Sequence, residues 1–130
     1  MGKKRVRPEH WKDEPEEHDF PAAADYLSLL LPADAVAATL AKLRAAETVR
    51  HKAKDLIRSG RLTLLPPDDP DVAGDLRKVA KGELLSPVLL VRGRADRDLP
   101  LIVADGYHRI CASYHLDEDA EIPCRVTDLP

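Results

Sequence analysis

Apolar positions along the chain follow two periods that meet near residue 60. From Phe20, "FPAAADYLSLLL" predicts a short apolar helix that Pro32 ends. Asp34 then reads as a helix cap, and Val36, Leu40 and Leu43 recur at helical spacing. A second set, Val49, Ala53, Leu56 and Ile57, continues the stripe to Ser59 and Gly60, where glycine suits a left-handed helix end. This predicts one long helix or two joined near Ala46 and Glu47. His51, Lys52, Lys54 and Arg58 fall on its polar side.

After Gly60 the pattern alternates. "RLTLL" predicts a strand, "PPDDPD" a rigid acidic loop, and "VAGDLRKVAKG" a short helix with Val72, Leu76 and Val79 inward. "SPVLLVRG" and "LPLIVAD" predict strands around a "RADRD" turn. "GYHRICASYHL" predicts a helix and "EIPCRVTDL" a last strand. No internal repeat or low-complexity segment is present. Together these elements predict an α+β fold, a small mixed sheet packed with helices. Residues 1–19, dense in mixed charge, predict a disordered or loosely docked tail; 20–60 predict a helical extension; 61–130 predict the sheet-bearing domain.

The 130 residues, 44% hydrophobic and 33% charged, suit one core built from Leu, Val, Ile and Ala. With 4% aromatic residues, Trp11 is expected outside that core. A formal charge of −3 argues against bulk nucleic-acid binding, which relies on many Lys and Arg releasing counterions. The "KKRVR" start reads as a solvated terminus. No apolar run approaches the roughly 20 residues of a bilayer span, and the N-terminus lacks a signal-peptide core, so a cytoplasmic protein is expected. Cys111 and Cys124 form no CxxC pair and are expected to be buried thiols.

The chemistry concentrates in "LIVADGYHRICASY". A strand ending at Asp105 and entering a helix leaves N–H groups without helical acceptors, and Gly106 permits close approach or an unusual backbone angle. His108 and Arg109 stand in the first turn, where cations oppose the helix dipole, so a bound anion, phosphate above all, would account for them. The local alternative is that Asp105 caps the helix and pairs with Arg109. Tyr107, Ile110, Cys111 and Tyr114 form the apolar stripe. His108 and His115 are too far apart along the helix to share a zinc ion. Asp105 beside a phosphate must turn away as a cap, act through a divalent cation, or serve as a general base. Asp68, Asp69 and Asp71 could add carboxylates if their loop covers the junction.

From about Arg61 to Val126 the order of elements, with "DGYHRICASYHL" and "IPCRV", resembles the ParB/sulfiredoxin superfamily. The box is similar to GCHR of sulfiredoxin, DGHxR of free-serine kinases and GERR of ParB. The resemblance implies a ParB/sulfiredoxin-like fold in which Gly106, Tyr107, His108 and Arg109 bind nucleotide phosphates. ATP is expected ahead of CTP, with Mg²⁺ at Asp105 and catalytic roles for Asp105, Asp68 and Asp69. Tyr107 replaces the sulfiredoxin cysteine, so sulfinic-acid reduction is not expected. No helix-turn-helix follows, so neither is partition-site recognition.

Three functions are compatible with this reading. One is a small ATP-dependent phosphotransferase or nucleotide hydrolase with a small-molecule acceptor. Another is a non-catalytic nucleotide-sensing or partner-binding module, homodimeric or heteromeric through residues 20–60. The third, DNA-directed activity, is opposed by the acidic charge.

Overall fold

The computed structural model describes residues 10–130. The "KKRVR" segment lies outside the described residues. Among the described residues five α-helices, α1 (Asp19–Leu27), α2 (Ala33–Ala45), α3 (Ala53–Ser59), α4 (Pro70–Ala80) and α5 (Tyr107–Leu116), accompany four strands. The strands β1 (Val49–Lys52), β2 (Val88–Arg92), β3 (Ile102–Asp105) and β4 (Glu121–Asp128) form one mixed sheet in the order β1-β4-β2-β3. β2 runs parallel to β4, and both edge strands are antiparallel to their neighbours. The fold is α+β, as expected.

The central strand explains the layering. Val88 to Val91 of β2 are all buried, and because strand side chains alternate between faces, both faces need cover. Val88 and Leu90 join Ala53, Leu56, Ile110, Ile122 and Cys124 in one core, against α3 and α5. Leu89 and Val91 join Phe20, Ala23, Leu27, Val36 and Leu43 in another, against α1 and α2. A third cluster, Val72 with Cys111 and Ala112, fixes α4 to α5.

Several expectations are corrected. The segment 20–60 is not helical throughout and does not stand apart: residues 49–52 form edge strand β1, paired to β4 in the register Val49 to Cys124. Val49 is consequently exposed, not part of a helical stripe. Residues 61–65 are not a regular strand. Residues 10–19 take the docked alternative, and Trp11, expected outside the core, is 4% exposed, forms a bridge with Leu85 and sits in the core with Leu56, Val88 and Ile110. Asp34 is not the cap of α2; Pro32 is, and the Asp34 carboxylate accepts from the adjacent Ala35 N–H.

Gly60 keeps a right-handed backbone (φ −87°), and the left-handed position falls on Arg61 (φ 53°). There Arg61 N–H bonds Arg58 O and Leu62 N–H bonds Ile57 O, the double closure of a Schellman end. The same closure ends α4, with Gly82 (φ 81°) in the left-handed place. Arg61 pairs with Asp98, the other non-glycine residue of positive φ among the described residues. Both cysteines are buried and free, as expected, and burial pushes the Cys124 thiol up to about 12.

Candidate functional site

The chain leaves β3 at Asp105 and turns through Gly106 into α5. Gly106 has φ 114°, and a Cβ there would lie 2.8 Å from Val88 Cβ and nearer still to its Cγ1. Glycine is therefore required both by backbone angle and by the close approach of β2. The first-turn N–H groups of α5 have no intrahelical acceptors, and among the described residues no side chain caps them. Asp105 is thus not the N-cap.

The Asp105 carboxylate accepts from Arg109 Nη2 at 3.0 Å, and the same nitrogen lies 3.2 Å from Pro87 O. Both side chains are largely enclosed, 16% and 17% exposed. Burial pushes the Asp105 carboxyl above its usual range, opposed by the Arg109 guanidinium and reinforced by the charge of Asp19. The geometry matches the local alternative for Arg109: one turn of helix brings its cation back to the carboxylate four residues earlier.

A cavity of about 940 Å³ opens at this junction. Asp105, Gly106, Tyr107 and His108 line it from one side, Gly60 to Thr63 and Tyr26 from others. Arg109 is not among its lining residues. Tyr107 donates its hydroxyl to Thr63 O at 2.6 Å, which fixes the loop before α4 against α5.

The acidic loop splits in its behaviour. Asp69 caps α4, accepting from the N–H groups of Asp71 and Val72, both at 3.1 Å. Asp71 lies 3.5 Å from His108 Nε2. Asp69, Asp71 and His108 place ligand-type atoms within 4.8 Å of one another and could hold a metal ion. Asp68 is exposed and does not line the cavity. Asp105 belongs to neither of the two metal-competent groups among the described residues. Asp75, one turn further along α4, has its carboxyl pushed up by burial while Lys78, Arg109 and His108 oppose the shift.

The loop reaches the junction as the sequence allowed, and Asp71 meets His108 there. One feature escaped the sequence. Arg125, 8% exposed, donates to Leu43 O, Arg44 O and Thr48 Oγ1 at 3.2, 2.9 and 3.1 Å, closing the C-terminus of α2.

The fold and junction define a three-layer α+β protein with a glycine-led helix start opening on a cavity. The chain matches no family model, no curated protein and no solved structure. None of the described helices is long and apolar enough to cross a membrane.

Proposed function

We propose that the β3–α5 junction binds the phosphates of a nucleoside triphosphate, ATP ahead of CTP, together with Mg²⁺, in a ParB/sulfiredoxin-like protein of the cytoplasm. The observation that carries this reading is the uncapped, Gly106-led start of α5 lining a cavity of about 940 Å³, since unpaired amides and the helix dipole favour an anion there. The volume falls within the range usual for small-molecule sites. His108 supplies a side-chain donor, and Asp69 and Asp71 supply carboxylates for the cation.

Arg109 acts through Asp105 and is a positioning residue. It leaves Asp105 one carboxylate oxygen outside the ion pair, and that oxygen takes the proton of an attacking hydroxyl from a small acceptor or from water. Tyr107 walls the cavity in place of a nucleophile, which excludes the sulfiredoxin reaction.

The test is thermal unfolding with ATP, ADP, CTP or GTP plus Mg²⁺. A nucleotide at 100 times its Kd adds about 2.7 kcal/mol of stability, and His108→Ala should abolish the shift while leaving the unliganded fold intact. Flat curves for every nucleotide overturn the proposal. The partner-binding alternative draws on Leu29, 80% exposed, beside exposed Tyr26 and Leu30 at the end of α1. Light scattering separates the two: a monomer that turns over nucleotide leaves no role for that surface in assembly.

A further inference from the structure

The sheet face that carries Val88 and Leu90 is covered along only part of its length. Ile110 of α5 packs with Val88 in that core, whereas no residue of α5 lines the other end, where a cavity of about 540 Å³ opens between α3, the sheet and the turn joining β2 to β3. The register brings three strands to this one face. His51 pairs with Ile122 and Leu90 with Val126, and Ile122 and Val126 share a face because strand side chains alternate. Leu56, Leu90, Leu101 and Val126 give the cavity its apolar floor. Leu99, also in its lining, is 45% exposed, an apolar side chain that the fold leaves without cover.

The polar groups around that floor carry an excess of cations. Three arginines, Arg58, Arg61 and Arg92, line the cavity with His51, against two aspartates, Asp55 and Asp98. Arg61 pairs with Asp98, and Arg92 with Asp128, which is not in the lining. Arg58 Nη1 stands 3.7 Å from Asp55 Oδ1, beyond hydrogen-bonding distance. Among the described residues neither the Arg58 guanidinium nor the His51 ring makes a hydrogen bond, so their donors are open to a ligand.

The walls are fixed without one. Leu101 N–H donates to Ser59 O at 3.0 Å, which ties the end of α3 to the entry of β3, and Arg94 and Leu99 exchange backbone bonds of 3.0 and 2.9 Å. Arg61 (φ 53°) and Asp98 (φ 58°) are the two non-glycine residues of positive φ among the described residues, and both line this cavity. Gly60 would adopt the left-handed conformation without strain, yet it stands one residue earlier at φ −87°. Strain is thus kept at a position that presents an arginine to the cavity, a pattern that marks ligand-holding segments.

We propose that this cavity binds a small monocarboxylate with an apolar body, the body on Leu90, Leu101 and Val126 and the carboxylate on Arg58 and His51. Its volume and its few convergent donors over an apolar floor are those of a small-molecule site, and the guanidinium fork matches a carboxylate. Because the two aspartates offset two of the three arginines, a single negative charge suits the lining better than a phosphate dianion. The site does not rest on nucleotide binding at the β3–α5 junction. Arg61, Leu99, Pro100 and Leu101 line both cavities, so the test uses side chains that line one alone.

The experiment is calorimetric titration with octanoate, and with octylammonium, 1-octanol and octyl phosphate for comparison. One equivalent of octanoate should bind saturably, and octylammonium and octanol about tenfold more weakly or worse. Arg58→Glu should weaken octanoate by about 10- to 100-fold, the scale of a lost hydrogen bond to a charged group. The Arg58 side chain is 79% exposed, so the variant stays folded, which circular dichroism checks. Tyr26→Ala, in the lining of the larger cavity alone, should leave octanoate binding unchanged. Absence of binding at millimolar octanoate, equal binding of octylammonium, tighter binding of octyl phosphate, or loss in Tyr26→Ala with retention in Arg58→Glu overturns the proposal.

Discussion

Replacing Gly106 by alanine tests the geometry of the β3–α5 junction at its tightest point. The backbone there has φ 114°, a conformation that costs an L-residue roughly 1–2 kcal/mol. The added Cβ would also overlap Val88, 2.8 Å from its Cβ and closer to Cγ1. Val88 is fully buried in the central strand and has no room to withdraw, so the overlap costs a further overpacking penalty of about 1–3 kcal/mol. The expected loss is about 2–5 kcal/mol, a large share of the 5–15 kcal/mol typical of a domain. Urea unfolding followed by circular dichroism should show a lower midpoint with an unchanged slope. Introducing Val88→Ala alongside removes the Cγ1 contact but leaves the Cβ in place, so it should recover part of the overlap portion, giving a coupling of about 0.5–1.5 kcal/mol in a double-mutant cycle. A loss under about 1 kcal/mol, or strictly additive effects, would refute the proposed close approach of Gly106 to β2.

Gly74→Ala should do the reverse. It lies inside α4, where a Cβ would meet only Arg77 Nη2 at 3.7 Å, so a gain of about 0.5–1 kcal/mol in urea unfolding is expected. Arg125→Ala strips three acceptors at the end of α2 of a buried charged donor and should destabilise by about 3 kcal/mol in the same assay, with Arg125→Lys recovering only part. Asp75 should show itself through pH. Its carboxyl is raised above the ordinary 3.8 by burial, so its contribution is fully present below that value and is lost as pH climbs through the raised one. Asp75→Asn should therefore gain relative to wild type across that window, and parallel pH profiles of unfolding free energy would count against the burial of this carboxyl.

The junction was readable because its signals are local. "LIVAD" followed by glycine and an apolar stripe at helical spacing fixes a strand, a turn and a helix without reference to the rest of the chain. Three strands and α4 were legible for the same reason: β2 is a continuous apolar run, and Val72, Leu76 and Val79 recur at helical spacing, although α4 starts earlier than its apolar stripe, with Asp69 as cap and Pro70 in the first turn. The stretch from Thr48 to Gly60 misled because "VRHKAKDLI" satisfies a helical stripe. An edge strand four residues long with every residue exposed has no apolar alternation to announce it, and only pairing with β4 defines it. Trp11 misled similarly, since its charged surroundings carry no period, while its burial depends on Leu85, far along the chain.

By itself, then, the sequence determined the α+β composition, the buried thiols, and the placement of Asp105, Gly106, His108 and Arg109 at a helix start. Those follow from backbone sterics and side-chain periodicity, which act within a few residues. Only the tertiary structure decided that Arg109 turns inward to Asp105, that Asp71 meets His108, and that residues 19–45 cover the second face of β2. Each of these depends on which distant groups compensate a buried charge or cover an apolar face, and such partners are set by packing across the whole chain.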